Sequence, residues 1–558
     1  MSPTNPTDRQ LQIVPLGGVA EFGKNTMVYR CGDDAIIVDA GRMFPGDELP
    51  GVDTVVPDLK YLTQCPRIHG LILTHGHEDH VGGVPHLLRQ HPTIPIYATD
   101  HVREILRIRL QEHGDIRDVD LRPLPLADDR VDLGPFGVQS LAVAHSIPCT
   151  RAIALHTPLG PIIHTADFKF DDAPIDGVRT EIERFREFGD AGVLALMIDS
   201  TNADRLGSTP GEHVALEGLR SVVGSADGRV FVTLFSSNIH RIQGLVDVAR
   251  ECGRRVAVVG ASLIRHVDIA ERLGLIRIPD GLRIAPRKAM GIPCRKLLVV
   301  VTGSQGEPTS ALSRIAFDRH RDFYIESGDL LVHSARKIPG NEKRIERVFN
   351  ELTRIGVDIV TADDAAVHVS GHPAADDIHR MLEATRPAFV VPVHGEQRQL
   401  RANRDLAVSF GQDPDRVPLM SCGERLVLDW DAWTLHEDVP VGDQWVDSLG
   451  EIVSYDAIRE RRQVGADGVV AVAWTQDTLR RRIEGDPVLS ARGFAPPFQP
   501  GDTLYRGAQD TVIESVVTAP PEAWLDPDRM AEHVHGDLRR FLRRRTRRRP
   551  LIVPLLLK

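Results

Sequence analysis

The stretch Leu71-Ile72-Leu73-Thr74-His75-Gly76-His77-Glu78-Asp79-His80 constrains this chain more than any other. Its apolar start reads as the end of a buried strand, and the strand runs into a turn that carries three imidazoles and two carboxylates. A strand end is rigid, whereas the turn after it lets alternate side chains face one side, so these groups can converge on a point. Histidine and carboxylate ligands suit divalent ions: His75 and His77 can hold one, while Asp79 and His80 reach a second a few ångströms away. A chance polar turn has no reason to place HxHxDH on the end of an apolar strand.

Along the first third of the chain, apolar strands ending at Gly, Asp or His are expected at Leu11–Pro15, Thr26–Arg30, Ala35–Asp39 and Gly70–Thr74. A helix follows over Val81–Gln90, then strands Ile96–Ala98, Val138–Ala144, Ala152–His156 and Pro161–Thr165. From about Leu206 the texture alternates: helix Glu212–Val223, strand Val230–Phe235, helix Ile239–Glu251, strand Val256–Val259, a helix and strand Leu297–Thr302, and the unit continues through Leu330–Ser334 and Lys343–Arg354. Strands separated by helices of this length imply a parallel sheet in a domain of its own. Histidines again follow apolar strands at His368–His372 and Phe389–Glu396, and the pattern loosens between Gly442 and Asp456. Past Gly468 a small α+β segment is expected, with strands Val469–Ala473 and Thr511–Thr518 and a helix Pro527–Arg545. The division that results is one domain over 1–205 and 366–445, an insertion over 206–365, a linker over 446–465 and a C-terminal domain over 466–558.

A pair of ions needs more ligands than one turn supplies, and three more residues stand at strand ends: His145, Asp167 and His394. Taken together they complete a site, with His75, His77 and His145 on one ion, Asp79, His80 and His394 on the other, and Asp167 bridging both. Two divalent ions per chain are expected, zinc being favoured by the histidines and manganese admitted by the carboxylates.

HGHEDH, the His145 of Ala144-His145-Ser146, and Thr165-Ala166-Asp167 resemble the metallo-β-lactamase superfamily. That resemblance implies an α/β protein built on a four-layer αββα sandwich, with Asp39 of AIIVDAG orienting the ligands from behind. The inserted unit, Asp199 of Ile198-Asp199-Ser200-Thr201-Asn202, His372 of His368-Val369-Ser370-Gly371-His372, and His394 of Val393-His394-Gly395-Glu396 resemble the β-CASP nucleases. Within that branch LGGVAEFGKN, FSSNIHRIQ, VTGSQGEPTSALSRIA and IPGNE are similar to the ribonuclease J family over essentially the whole chain. Two departures stand out: Ala20 and Phe22 where members usually read Gly and an aliphatic residue, and Arg336-Lys337 where they read a small, Ser-rich stretch. Neither falls on an expected ligand.

A two-ion clamp suits the in-line displacement at a phosphodiester. The resemblance implies an RNA substrate, 5′-to-3′ exonuclease and endonuclease activity, and a catalytic set of Asp39, Asp79 and His372, the last helping the leaving 3′ oxygen. Ser236, Ser237 and Asn238 lie between a strand and the next helix, where amides and the helix dipole favour an anion, with His240 and Arg241 in its first turn. Ser304, in Gly303-Ser304-Gln305-Gly306, repeats the arrangement, and His368, Val369, Ser370, Gly371 and His372 adjoin them. The resemblance implies that one such pocket accepts the 5′-monophosphate of RNA. It also implies a homodimer or higher homo-oligomer through the C-terminal domain, with other RNA-decay proteins as partners.

The formal net charge of −11 argues weakly against a nucleic-acid partner, but local clustering matters more for phosphate binding, and eight of the eleven residues from Arg539 to Arg549 are arginine. The plainer reading of that run is a solvated helix face. The six cysteines form no C-x-x-C pair, which fits neither a disulfide framework nor a thiolate zinc site. No basic and apolar leader and no membrane-length apolar run is present in the sequence, so a cytoplasmic protein without membrane attachment is expected. Three other functions stay open from the sequence: a β-CASP nuclease acting on DNA, a small-molecule hydrolase, which would have no use for the insertion, and a non-catalytic RNA-binding scaffold, which would not need seven intact ligands.

Overall fold

Two sheets face each other across a layer closed to water, where Leu11, Ile13, Tyr29, Ile36 and Ile72 of one meet Phe136, Ile153, Leu155, Ile162 and Phe389 of the other. Each such side chain contributes about 1.5–3 kcal/mol by leaving water, which makes this layer the main tie between the sheets. The computed structural model describes residues 10–557 apart from 47, 113, 115, 117 and 127. The first sheet has eight strands, in the order Trp433–His436, Arg425–Leu428, Leu11–Gly17, Thr26–Cys31, Asp34–Val38, Arg67–Ile72, Ile96–Ala98 and Leu121–Pro123. The second has six: Phe389–Val393, Ala195–Asp199, Gly160–His164, Arg151–Thr157, Phe136–Ala142 and Val131–Leu133.

Helices cover both outer faces. Val84, Leu87 and Leu88 of helix Val84–Gln90 and Val102 and Leu106 of helix Asp100–Glu112 pack on the first sheet. Phe185, Ile378, Met381 and Ala407 pack on the second. This is the αββα sandwich expected from the sequence. Inserted in the sequence between Asp199 and Phe389 is a separate five-stranded, all-parallel sheet in the order Arg255–Val259, Leu297–Val301, Val230–Thr233, Leu330–His333 and Asp358–Val360. Apolar side chains cover it on both faces, as its uninterrupted Val/Leu strands require.

Register brings the polar strand ends together. Val38 lies opposite Ile72 in parallel, so Asp39 and the turn after Leu73 leave the sheet side by side. Asp199 lies opposite Val393, so His394 emerges next to it. Asp39, Ala166 and His394 take φ of 62°, 53° and 55°, a left-handed conformation costly for non-glycine residues and found where function over-determines the backbone. Ala20 shares it, with φ 63°, which accounts physically for the glycine expected there.

Close contacts divide the chain into two units: one holds Val55–Gln444 with the chain up to Phe44, the other Pro45–Thr54 with the chain from Trp445 onward. In the second unit the sequence expectations need correcting. The stretch taken as a linker holds a helix, Tyr455–Asp467, begun by the Ser454 hydroxyl accepting from the Ala457 amide. The expected strand Thr511–Thr518 is the end of a helix, Thr503–Thr518. Its β-branched run suggests a strand, but Tyr505, Ala508, Val512 and Val516 recur at helical spacing and all are buried. The strands that complete this unit's sheet, on either side of Val469–Asp477, are Arg482–Arg492 and Leu551–Leu557.

Candidate metal centre

Four of the histidines are gripped from behind, and each grip fixes which ring nitrogen faces inward. The Thr74 hydroxyl donates to Asp39 Oδ2 (2.9 Å), so it accepts from His75 Nδ1 (3.0 Å). His80 Nδ1 lies 2.7 Å from the same carboxylate, and His145 Nδ1 donates to the Gly371 carbonyl at 2.8 Å. The Thr201 hydroxyl donates to Asp199 Oδ1 and accepts from His394 Nδ1, both at 2.7 Å. Every one of these rings is left with Nε2 turned the other way, the arrangement that prepares an imidazole to bind a metal.

Inward, the nitrogens crowd. His75 Nε2 and His145 Nε2 lie 3.0 and 3.1 Å from His77 Nδ1, and His80 Nε2 lies 3.4 Å from His394 Nε2. Asp167 sits between the two sets. Its Oδ2 is 3.4 Å from His75 Nε2 and 3.6 Å from His145 Nε2, while its Oδ1 is 3.4 Å from His80 Nε2 and 3.5 Å from His394 Nε2. Asp79 Oδ2 adds a carboxylate 3.3 Å from His394 and 3.6 Å from His80. Ligands around a tetrahedral ion with bonds of about 2.0–2.1 Å lie roughly 3.3 Å apart, so these spacings fit a metal. Asp167 Oδ1 is buried without a hydrogen-bond partner, a cost that a cation would remove. The seven expected ligands therefore come together in the two sets read from the sequence.

Charge is shared unevenly. Burial, reinforced by neighbouring histidines, holds His75, His77 and His145 below the ordinary histidine range. Burial acts the same way on His80 and His394 but is outweighed by Asp167, Asp79 and other carboxylates, which hold both well above it. Asp167 itself is depressed despite burial, by His394, His80 and His75.

Beside the centre lies the loop 368–372. Gly371 passes so close to His145 that a Cβ there would lie 2.7 Å from its Cε1 and Nδ1, so only glycine fits. His372 Nδ1 is held 2.8 Å from Asp199 Oδ2. Asp167, Asp199, His372 and His394 form a third grouping close enough to share an ion. The residues expected to bind phosphate divide sharply. Arg241 is fully buried: Nε and Nη2 meet Glu212 at 2.6 and 2.8 Å, Nη2 also meets the Val369 carbonyl, and Nη1 meets Ser334 and His368 Nδ1 (2.7 Å). All its donors are engaged inside the protein. His240 is held at both nitrogens, by the His145 carbonyl and Asp176, and Asn238 caps its helix by accepting from the Arg241 amide. Ser236 and Ser237 are half-buried and Ser304 is buried; none bonds to the 368–372 loop among the described residues. His368, Ser370 and Gly371 remain as the loop's own polar groups.

The comparisons with known proteins agree with this architecture. Residues 38–185 match "Beta-lactamase superfamily domain", 227–352 "Ribonuclease J, beta-CASP domain", 362–417 "Zn-dependent metallo-hydrolase RNA specificity domain" and 456–558 "Ribonuclease J C-terminal domain". The chain is 35% identical to a ribonuclease J of Mycolicibacterium smegmatis, over 98% of this chain and 97% of that one. It is also 35% identical to one of Corynebacterium glutamicum, over 98% and 75%. The chain belongs to the ribonuclease J family. A crystal structure of a protein of unknown function from Enterococcus faecalis V583 shares the fold at 17% identity, with a TM-score of 0.52 over 75% of this chain and 100% of that one.

Several supporting groups of this ribonuclease J family member escaped the sequence reading. Asn25 Nδ2 donates to the Asp79 carbonyl (3.0 Å) and carboxylate (3.3 Å), and Thr201 orients His394. Glu78, between His77 and Asp79 in the motif, turns away to Arg42 (2.7 Å) and Arg109. Asn25 and Thr201 lie inside quoted motifs, LGGVAEFGKN and IDSTN, but nothing in their spacing marks them as orienting groups. Phe22, one of the departures, packs edge-on to His394 with ring centres 6.2 Å apart.

Proposed function

We propose that the chain is a metal-dependent ribonuclease that removes nucleotides from the 5′ end of RNA, favours a 5′-monophosphate and also cuts internally. The observation that carries this reading is Asp167, which turns one oxygen to each set of histidines, with Oδ1 buried and without a hydrogen bond. His75, His77 and His145 would hold one divalent ion and Asp79, His80 and His394 the other; zinc suits the imidazoles and manganese the carboxylates. Ions in that position lower the pKa of water and neutralise charge on phosphoryl oxygens during in-line displacement.

The chain's own groups do the positioning. Asp39 fixes His80 and Thr74, and through Thr74 it steadies His75. Asp199 accepts from His372 Nδ1, which leaves Nε2 to serve the leaving 3′ oxygen. Products would carry a 5′-phosphate and a 3′-hydroxyl. The loop 368–372, next to His145, offers the end-phosphate subsite, and its distance from the ligands would set the single-nucleotide step. A homodimer is supported by the C-terminal sheet, where Val488, Ala473 and Leu555 stand in one row and Val488 and Leu555 are exposed. Among the described residues no helix is long and apolar enough to cross a membrane.

The test is the initial rate of 5′-to-3′ degradation of one RNA bearing monophosphate, triphosphate or hydroxyl at its 5′ end, in the wild type and His368→Ala. Monophosphate is expected to be fastest: a hydroxyl leaves the subsite's donors unpaired and a triphosphate adds charge without partners. Equal rates on all three ends in the wild type would remove the end-recognition part of this proposal.

A further inference from the structure

A terminal phosphate is close to a dianion near neutral pH, and a partly closed site binds it well only with a cation or several converging donors. Around the loop 368–372 the obvious cations are spent. Arg241 has no donor left, and because an arginine can only donate, His368 Nδ1 must accept from it. That puts the His368 proton on Nε2 and keeps the ring neutral, as burial and Arg241 together also require. Lys169 is buried with its ammonium on the Pro210 carbonyl and beside Asp171.

One guanidinium near the loop is not spent. Arg336 donates from Nη1 to Asn202 Oδ1 at 2.8 Å and has no ion pair among the described residues. It is half-buried, and its backbone is fixed by Gln305, whose Nε2 donates to the Arg336 carbonyl at 2.9 Å. Burial and the positive charges of Arg205 and Arg398 press against its own charge, with only Asp204 opposing them. Asp204 is itself paired with Arg398 at 3.3 Å, so the Arg336 guanidinium has no carboxylate of its own among the described residues.

The bond to Asn202 also has a consequence for the loop. With Arg336 on its oxygen, the Asn202 amide turns its NH2 to Ser370 Oγ (2.9 Å) and the His372 carbonyl (3.3 Å). Ser370 Oγ accepts a second bond from the His372 amide (3.2 Å), which fills both its lone pairs and leaves its O–H as a donor without a partner. His368 Nε2–H is likewise free among the described residues. Three donors therefore remain around the loop: Ser370 O–H, His368 Nε2–H and the unused edge of Arg336.

We propose that Arg336 is a further substrate-binding residue, the cation that pairs with the terminal 5′-phosphate of RNA beside Ser370 and His368. This rests on the reading that the loop 368–372 receives the RNA end. Arg336 acts twice there, directly through its free N–H groups and indirectly by turning Asn202 so that Ser370 donates.

The test compares Arg336→Gln and Arg336→Lys with wild type, as metal-loaded enzyme, on one RNA carrying either a 5′-monophosphate or a 5′-hydroxyl. Arg336→Gln is expected to raise KM about tenfold for the monophosphate end at nearly constant kcat, and to leave the hydroxyl end within about twofold. The slope of log KM against log salt for the monophosphate end should fall by about 0.7, the loss of one phosphate contact on a single strand. Arg336→Lys keeps the charge and the stem, so it should recover part of the KM; it carries the same test if the glutamine variant fails to fold. Equal losses on both ends would reduce Arg336 to a structural group, and an unchanged KM would overturn the proposal. If wild type itself treats both ends alike, the end-phosphate subsite fails and this role with it; if only the variant's preference is unchanged, Arg336 alone is wrong.

Discussion

The candidate metal centre and the loop 368–372 with the groups around it are built from the same material, polar residues near the ends of apolar strands, yet they treat their polar atoms in opposite ways. At the metal centre, four histidines are bonded on their outer nitrogen and left facing one another on the inner one, and Asp167 keeps a buried oxygen without a hydrogen bond. Around Arg241 the groups satisfy each other: one guanidinium serves Glu212, Ser334, His368 and Val369 and keeps nothing for a ligand. Residue type and position raise a candidate; what decides its role is whether hydrogen-bonding capacity is left over. By that criterion Arg241 is a structural clamp and Arg336, from the motif that departs from the family, is the residue with capacity to spare.

The comparison breaks most visibly at Arg241. Arg241→Met would leave Glu212, 5% exposed, as a buried charge without its partner, so the loss of stability should be about 3–5 kcal/mol in urea unfolding. A variant that unfolds like wild type but loses preference for 5′-monophosphate would restore Arg241 as a ligand. Smaller, and confined to the centre, is the effect of Asp39→Asn, which weakens the grip on His80 and Thr74 without touching a ligand atom. Metal affinity is expected to fall by about 10–100-fold with the fold intact, measured by competition with a chelator.

The least of these effects sharpens the contrast within the centre itself. His80 and His394 are held well above the ordinary histidine range in the metal-free protein, so a metal must displace their protons. Lowering the pH adds to that competition, and metal affinity measured at pH 8.5, 7.5 and 6.5 should fall at each step. An affinity independent of pH would mean that these two rings are not ligands.

How much could be read in advance follows the same division. The seven candidate ligands could be picked out because each follows an apolar strand and because histidines and aspartates in such places carry a chemistry. Strand cores and helices such as Ile239–Glu251 were legible from their periods. The helix Thr503–Thr518 was not, since the β-branched run in its second half outweighed the helical spacing of its buried residues. The roles of Asn25, Thr201 and Arg241 were not either, because orientation and saturation of donors are properties of three-dimensional neighbours and leave no periodic mark.

The central claim is that cleavage of RNA depends on ions held by this cluster. The direct measurement is cleavage of a 5′-labelled RNA by purified protein after chelation, with zinc or manganese added back singly, for the wild type and for a His77→Ala, Asp79→Ala double variant. Chelation is expected to abolish cleavage and add-back to restore it in the wild type, whereas the double variant stays folded and inactive under every condition. Full activity in the metal-free double variant would contradict the account.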